Sequence, residues 1–151
     1  IENFSAKIRA GKHAQRTKDF MIIARIESLI LEKGMEDALT RAFAYVQAGA
    51  DGIMIHSRKK DPDEIFAFCD KFRAKDAATP IVVVPTSYNA TYESELQAHG
   101  INIVIYANQL TRSAFPAMQK TATDILTYHR AKEVDDRLMP IKDIITLIDE
   151  I

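Results

Sequence analysis

The chain has 151 residues, with 20 Lys and Arg against 21 Asp and Glu, 47% hydrophobic residues, one cysteine and no tryptophan. That length fits one domain with its own core, and the apolar fraction together with a net charge of −1 excludes a disordered chain. The charge balance leaves no footprint for nucleic acid or an anionic membrane surface. No apolar run nears the ~20 residues of a bilayer span, and Cys69 has no partner for an internal disulfide, which points to a reducing, cytoplasmic setting.

In chain order, the sequence opens Ile1-Glu2-Asn3-Phe4-Ser5 with neither an initiator Met nor a signal-peptide pattern, as a chain entered partway along would. A short apolar run, Phe20 to Ala24, then leads to Arg25. Met35, Ala38, Leu39, Ala42 and Val46 recur at helical spacing over Gly34–Gln47, and Gly49 stops that helix. Ile53 to Ile55 is the next strand. Asp61-Pro62-Asp63-Glu64 starts a helix with Asp61 as its cap, and Ile65, Phe66, Phe68, Cys69 and Phe72 form its apolar stripe. Ile81 to Val84, between prolines, reads as a buried strand. A short helix from about Thr91 stops at Gly100, and Ile101 to Tyr106 is the fourth strand. A long helix, about Gln109 to Arg130, turns Leu110, Ala114, Phe115, Met118, Ile125 and Leu126 inward. Pro140 opens a last helix carrying Ile141, Ile144, Ile145 and Ile148.

Apolar strands alternating with amphipathic helices give an α/β fold with a parallel sheet covered by helices. The polar residues ending the strands, Arg25, His56, Thr86 and Asn108, are 31, 30 and 22 residues apart. Four such units make a small open sheet or part of a (βα)8 barrel, which takes about 250 residues. The strand ends lack the clustered acids of a receiver domain, and no Gly-rich turn cradles a dinucleotide or phosphate.

Sites in parallel α/β proteins lie at the carboxyl ends of the strands. Period-two alternation puts Ile23, Arg25 and Glu27 on one face. An Arg on an apolar strand either meets an anion with its guanidinium fork or pairs with a neighbouring acid such as Glu27. His56 ends the second strand and suits phosphoryl contact, acid–base work, metal binding or a structural hydrogen bond. The Ser57-Arg58-Lys59-Lys60 run reads as a solvated loop by default. Thr86 and Asn108 offer neutral hydrogen-bond groups, with turn and capping roles as their ordinary alternative. Cys69 belongs to the core. Magnesium wants several carboxylates around one point, and the strand ends supply only Glu27.

Ile23-Ala24-Arg25-Ile26-Glu27-Ser28-Leu29-Ile30 and Gly49 to Arg58 resemble the fifth and sixth strand regions of the phosphoenolpyruvate mutase family, within the isocitrate lyase superfamily. The similarity continues through Val83 to Tyr88, Val104 to Asn108, Arg112 to Met118 and Met139 to Ile144, so it spans essentially the whole chain. The resemblance implies the C-terminal half of a (βα)8 barrel, strands five to eight, with residues 1–151 as part of one barrel domain. The last helix of that fold swaps onto a neighbouring subunit in a homodimer or homotetramer.

The resemblance also implies an isomerase that interconverts phosphoenolpyruvate and phosphonopyruvate with Mg2+, making the carbon–phosphorus bond of phosphonate biosynthesis. Arg25 and His56 match the residues that hold the transferring phosphoryl group, while Glu27, Thr86 and Asn108 match positions lining or supporting the pocket. The metal ligands and gating loop belong to the first four strands of the family fold, so no metal residue is assigned here and the 151-residue chain alone is expected to be inactive. Phosphonopyruvate hydrolase shares this half of the barrel closely. The carbon–carbon lyases usually place a carboxylate where His56 stands, and a non-enzymatic half-barrel is the remaining alternative.

Overall fold

The computed structural model describes residues 1–147. The chain divides into two compact units, Ile1–Ala107 and Asn108–Ile151. In the first, helix α1 (Glu2–Ala14) precedes β1 (Ile23–Ile26), α2 (Gly34–Gln47), β2 (Gly52–Ile55), α3 (Asp63–Arg73), β3 (Ile81–Val83), α4 (Glu93–Ala98) and β4 (Ile103–Val104). The four strands form one parallel sheet in the order β1-β2-β3-β4. This is half the strand number of a (βα)8 barrel, built from the expected βα units.

The sheet has two unlike faces. Ala24 and Ile26, Ile53 and Ile55, and Ile81 and Val83 are all buried, as are Ala38 and Ala42 of α2 and Ile65, Phe68, Cys69 and Phe72 of α3. Phe72 stacks on Phe68 and on Phe43 of α2, with centroids 5.8 and 5.1 Å apart. Cys69 lies within this layer as expected, and burial pushes its thiol pKa up to about 12. The other face carries Ile23, Arg25 and Glu27 from β1 and its end, beside Gly52, Met54 and His56 from β2 and its end.

Several boundaries differ from the sequence reading for local reasons. β1 begins at Ile23 because the preceding segment is tied elsewhere: the Ile22 N–H donates to Asp51 Oδ2 at 2.8 Å, and the Phe20 carbonyl accepts from Gln15. Pro62, not Asp61, occupies the cap position of α3, and no side chain caps it, although Asp63 and Glu64 fall in the first turn where the helix dipole favours acids. β4 holds two residues rather than six. Its pairing tapers off through Asn102 N–H to Ile81 C=O and Ile105 N–H to Val83 C=O.

At the amino ends of the strands Arg73 ties three segments together. Its guanidinium makes five hydrogen bonds, to the carbonyls of Asp76, Thr79 and Gly100 (the last twice) and to Asn102 Oδ1. Asn102 Oδ1 also accepts from the Ile81 N–H at 2.9 Å, which starts β3.

The second unit contains α5 (Gln109–Tyr128), a 3-10 turn over Lys132–Arg137 and α6 (Ile141–Ile145). Among its described residues Val134 is the buried one, and Asp124 accepts from Arg137 at 2.5 Å and Lys120 at 3.1 Å. The expected inward stripe of α5 is not buried. Leu110 is 84% and Leu126 74% exposed, and Phe115 and Met118 are exposed as well. Helical spacing identifies the apolar face but not what covers it. Ile141, Ile144 and Ile145 of α6 are likewise exposed, while Ile148 lies outside the described residues.

Candidate active site

The β1–β2 register pairs Ile26 with Ile55, so Glu27 and His56 lie one step beyond the last paired residues of adjacent strands. Partners across a parallel pair project to the same face, as do residues two apart along one strand. Arg25, Glu27 and His56 therefore converge at the carboxyl ends of β1 and β2.

The three side chains form one cluster. Arg25 Nε donates to Glu27 Oε1, and Arg25 Nη2 lies 2.5 Å from His56 Nδ1. Glu27 Oε1 is 3.8 Å from His56 Nδ1, beyond hydrogen-bond reach but close enough for charge attraction. Arg25 is about half exposed and His56 partly buried. Burial holds the His56 pKa below the usual histidine value, and the positive charge of Arg25 adds to that depression while Glu27 opposes it. The ordinary reading of Arg25, an ion pair with Glu27, is thus present, and the same guanidinium also reaches the histidine of the neighbouring strand.

The residues after His56 lock its strand end. Ser57 is buried, its Oγ donates to Glu64 of α3, and it accepts the Lys59 N–H at 3.0 Å. Lys59 Nζ pairs with Glu64 at 3.1 Å, while Arg58 and Lys60 are exposed. This clamp escaped the sequence reading, which took Glu64 as a helix-start acid and Ser57 as part of a solvated loop. The available signal was the run His56-Ser57 with an acid seven residues after Ser57, in the first turn of the next helix.

Thr86 follows β3 in a tight turn in which its N–H donates to the Val84 carbonyl at 2.8 Å, and among the described residues its side chain makes no hydrogen bond. Asn108 belongs to the second unit. It occupies the cap position of α5 without a side-chain cap bond, and its Oδ1 lies 3.5 Å from Arg112 Nη1. The structure thus assembles three of the five expected residues into one cluster. A cavity of about 210 Å³ touches Arg25 and Glu27 and runs toward Ser28, Asp37 and Arg41 rather than His56. Among the described residues no group of three or more His, Cys, Asp or Glu is placed to hold a metal ion. Glu27, the acid at these strand ends, is engaged by Arg25, so these residues do not fit a magnesium site.

A sequence pattern for the family described as phosphoenolpyruvate phosphomutase matches residues 1–126. The chain belongs to this family. It is 40% identical to the phosphoenolpyruvate phosphomutase of Streptomyces hygroscopicus over 149 residues, which covers 99% of this chain and 47% of the relative. The crystal structure of phosphoenolpyruvate phosphomutase from Streptomyces platensis subsp. rosaceus superposes with a TM-score of 0.87 at 38% identity, covering 93% of this chain and 48% of that one. Phosphonopyruvate hydrolase, solved in complex with oxalate and Mg2+, gives a TM-score of 0.86 at 41% identity, covering 95% of this chain and 50% of that one. The chain spans about half the length of the curated phosphomutases it matches. The fold expectation, half of a family barrel, holds.

Proposed function

We propose that the full-length protein containing this chain interconverts phosphoenolpyruvate and phosphonopyruvate. One observation carries the reading: a family member joins an Arg and a His from adjacent strand ends, Nη2 to Nδ1, at the carboxyl edge of a parallel sheet. The isomerisation breaks the bond from enol oxygen to phosphorus and forms one from carbon to phosphorus, with no atom gained or lost. Phosphoryl transfer asks the protein chiefly for positioning and for charge at the equatorial oxygens. Arg25 supplies a permanent cation there and His56 a neutral hydrogen-bond group, while Thr86 and Asn108 are assigned to orienting the substrate.

Magnesium enters this proposal from the hydrolase solved with it, and no step is routed through it because the residues of this chain do not form its ligand set. The exposed apolar face of α5 and α6 supports a homodimer or homotetramer with an exchanged C-terminal helix. The single buried thiol fits a cytoplasmic setting, and among the described residues no helix is long and apolar enough to cross a membrane.

The test is phosphorus NMR of full-length protein incubated with phosphonopyruvate and Mg2+. Growth of the phosphoenolpyruvate ester signal is expected. Release of inorganic phosphate with pyruvate would select the hydrolase reading, which the 41% identical relative favours. Neither product would overturn both.

A further inference from the structure

The contact between Arg25 and His56 fixes a protonation state as well as a position. A guanidinium is a donor with no acceptor capacity, and it stays charged in proteins. Its Nη2 lies in hydrogen-bond contact with His56 Nδ1, and in a hydrogen bond between the two only the ring nitrogen can accept. Nδ1 is therefore the acceptor and carries no proton, which puts the single proton of the neutral ring on Nε2. A carboxylate bonded directly to Nδ1 would select the opposite tautomer. Glu27 is 3.8 Å from that nitrogen, and its carboxylate instead holds Arg25 Nε. Its influence on which ring nitrogen carries the proton runs through the arginine.

We propose that Glu27 is a positioning residue whose hold on Arg25 Nε turns Nη2 onto His56 Nδ1, keeping His56 as the neutral Nε2–H tautomer that donates to a phosphoryl oxygen. This rests on the phosphoryl-binding reading of the site. Three independent features of the structure converge on it. The β1–β2 register sets Glu27 opposite His56 on the face that bears Arg25. The Ser57–Glu64 clamp holds the backbone just after the histidine. The charged groups acting on His56 are Arg25 and Arg58, which disfavour a second ring proton, and Glu27, which favours one; with burial the balance lies on the neutral side. His56 then contributes a hydrogen bond to the transferring group without surrendering a proton, which suits a reaction with no net proton change.

The test is a two-bond proton–nitrogen correlation spectrum of the full-length protein labelled with 15N-histidine near neutral pH, with His56 assigned by its loss in His56→Gln. The expected pattern is a bare Nδ1 and a protonated Nε2 in the parent. Glu27→Ala should lose that pure pattern, and Glu27→Gln, which keeps an oxygen acceptor for Arg25, should restore it. In phosphonopyruvate turnover, Glu27→Ala should lower kcat by about 10–100-fold, the range for a partner that orients a working group, with a smaller change in KM. A protonated Nδ1 in the parent overturns the proposal even if every Glu27 variant fails to fold, and so does an unchanged Nε2–H spectrum in Glu27→Ala. Turnover with the wrong tautomer defeats this inference alone. The expected spectra without turnover or phosphate release defeat the proposed function, and the donation to a phosphoryl oxygen with it, and leave only the hold of Glu27 on the His56 tautomer.

Discussion

Arg25 does two jobs with one planar group, donating from Nε to Glu27 and from Nη2 toward His56. A lysine ammonium on a flexible stem cannot hold both directions. Arg25→Lys in the full-length protein is expected to lose about 10²–10³-fold in kcat/KM for phosphonopyruvate, the scale of removing one preorganised donor from a developing charge; kinetics close to the parent would remove Arg25 from the phosphoryl site. The histidine makes a second prediction. Its folded-state pKa lies below the ordinary value of 6.5, through burial first and Arg25 second, with Glu27 opposing. The unfolded chain then binds the proton more readily, so the contribution of His56 to stability is present above that ordinary value and is lost as pH falls toward the folded value. Arg25→Ala should raise the His56 titration midpoint only part of the way back, because burial remains. Ring-proton NMR across the titration checks the sign. Strand parity made Arg25 and Glu27 legible as neighbours on one face and the strand end singled out His56, while the register that joins the three came from the structure. The Ser57–Glu64 bond was not legible, since an acid in a first helical turn already has a local explanation in the helix dipole.

Among the elements, the best-read was α2, whose bounds Gly34–Gln47 coincide with its apolar spacing and its stop at Gly49. Gly49 has φ +101, a conformation that L side chains rarely adopt. The edge strand β4 and the helix α5 were read less well because both depend on neighbours that local spacing does not specify. A different device holds the far end of the sheet. Gly100 has φ +77, and a Cβ there would sit 2.7 Å from Arg73 Nε. Gly100→Ala combines left-handed strain of about 1–3 kcal/mol with displacement of the guanidinium that bonds Asp76, Thr79, Gly100 and Asn102. A lowered thermal midpoint with activity kept in the surviving folded fraction is the expected outcome; an unchanged midpoint would show that the Arg73 tie contributes little.

For the whole molecule, the unit Ile1–Ala107 leaves β1 and β4 with one strand neighbour each. Unpaired edges are open to further pairing, and the described residues offer no acidic cluster for a metal. The 151-residue chain alone is therefore expected to show no turnover of phosphonopyruvate while the full-length protein does; activity in the short chain would overturn this. In the unit Asn108–Ile151, Met118 is exposed on an apolar helix face. If the proposed homo-oligomer forms through this face, Met118→Lys in the full-length protein should shift sedimentation toward smaller assemblies; an unaltered profile would overturn the proposed contact.

The strands lie side by side in the order in which the chain makes them. Ile23 pairs with Gly52, Ile53 with Ile81 and Val82 with Ile103, so each pairing closes a loop of a single βα unit, and closure entropy grows only slowly with such lengths. Among the described residues no strand waits for a partner made later than the next one. On a ribosome each unit can dock on its predecessor as it emerges, so that synthesis and folding run in the same direction.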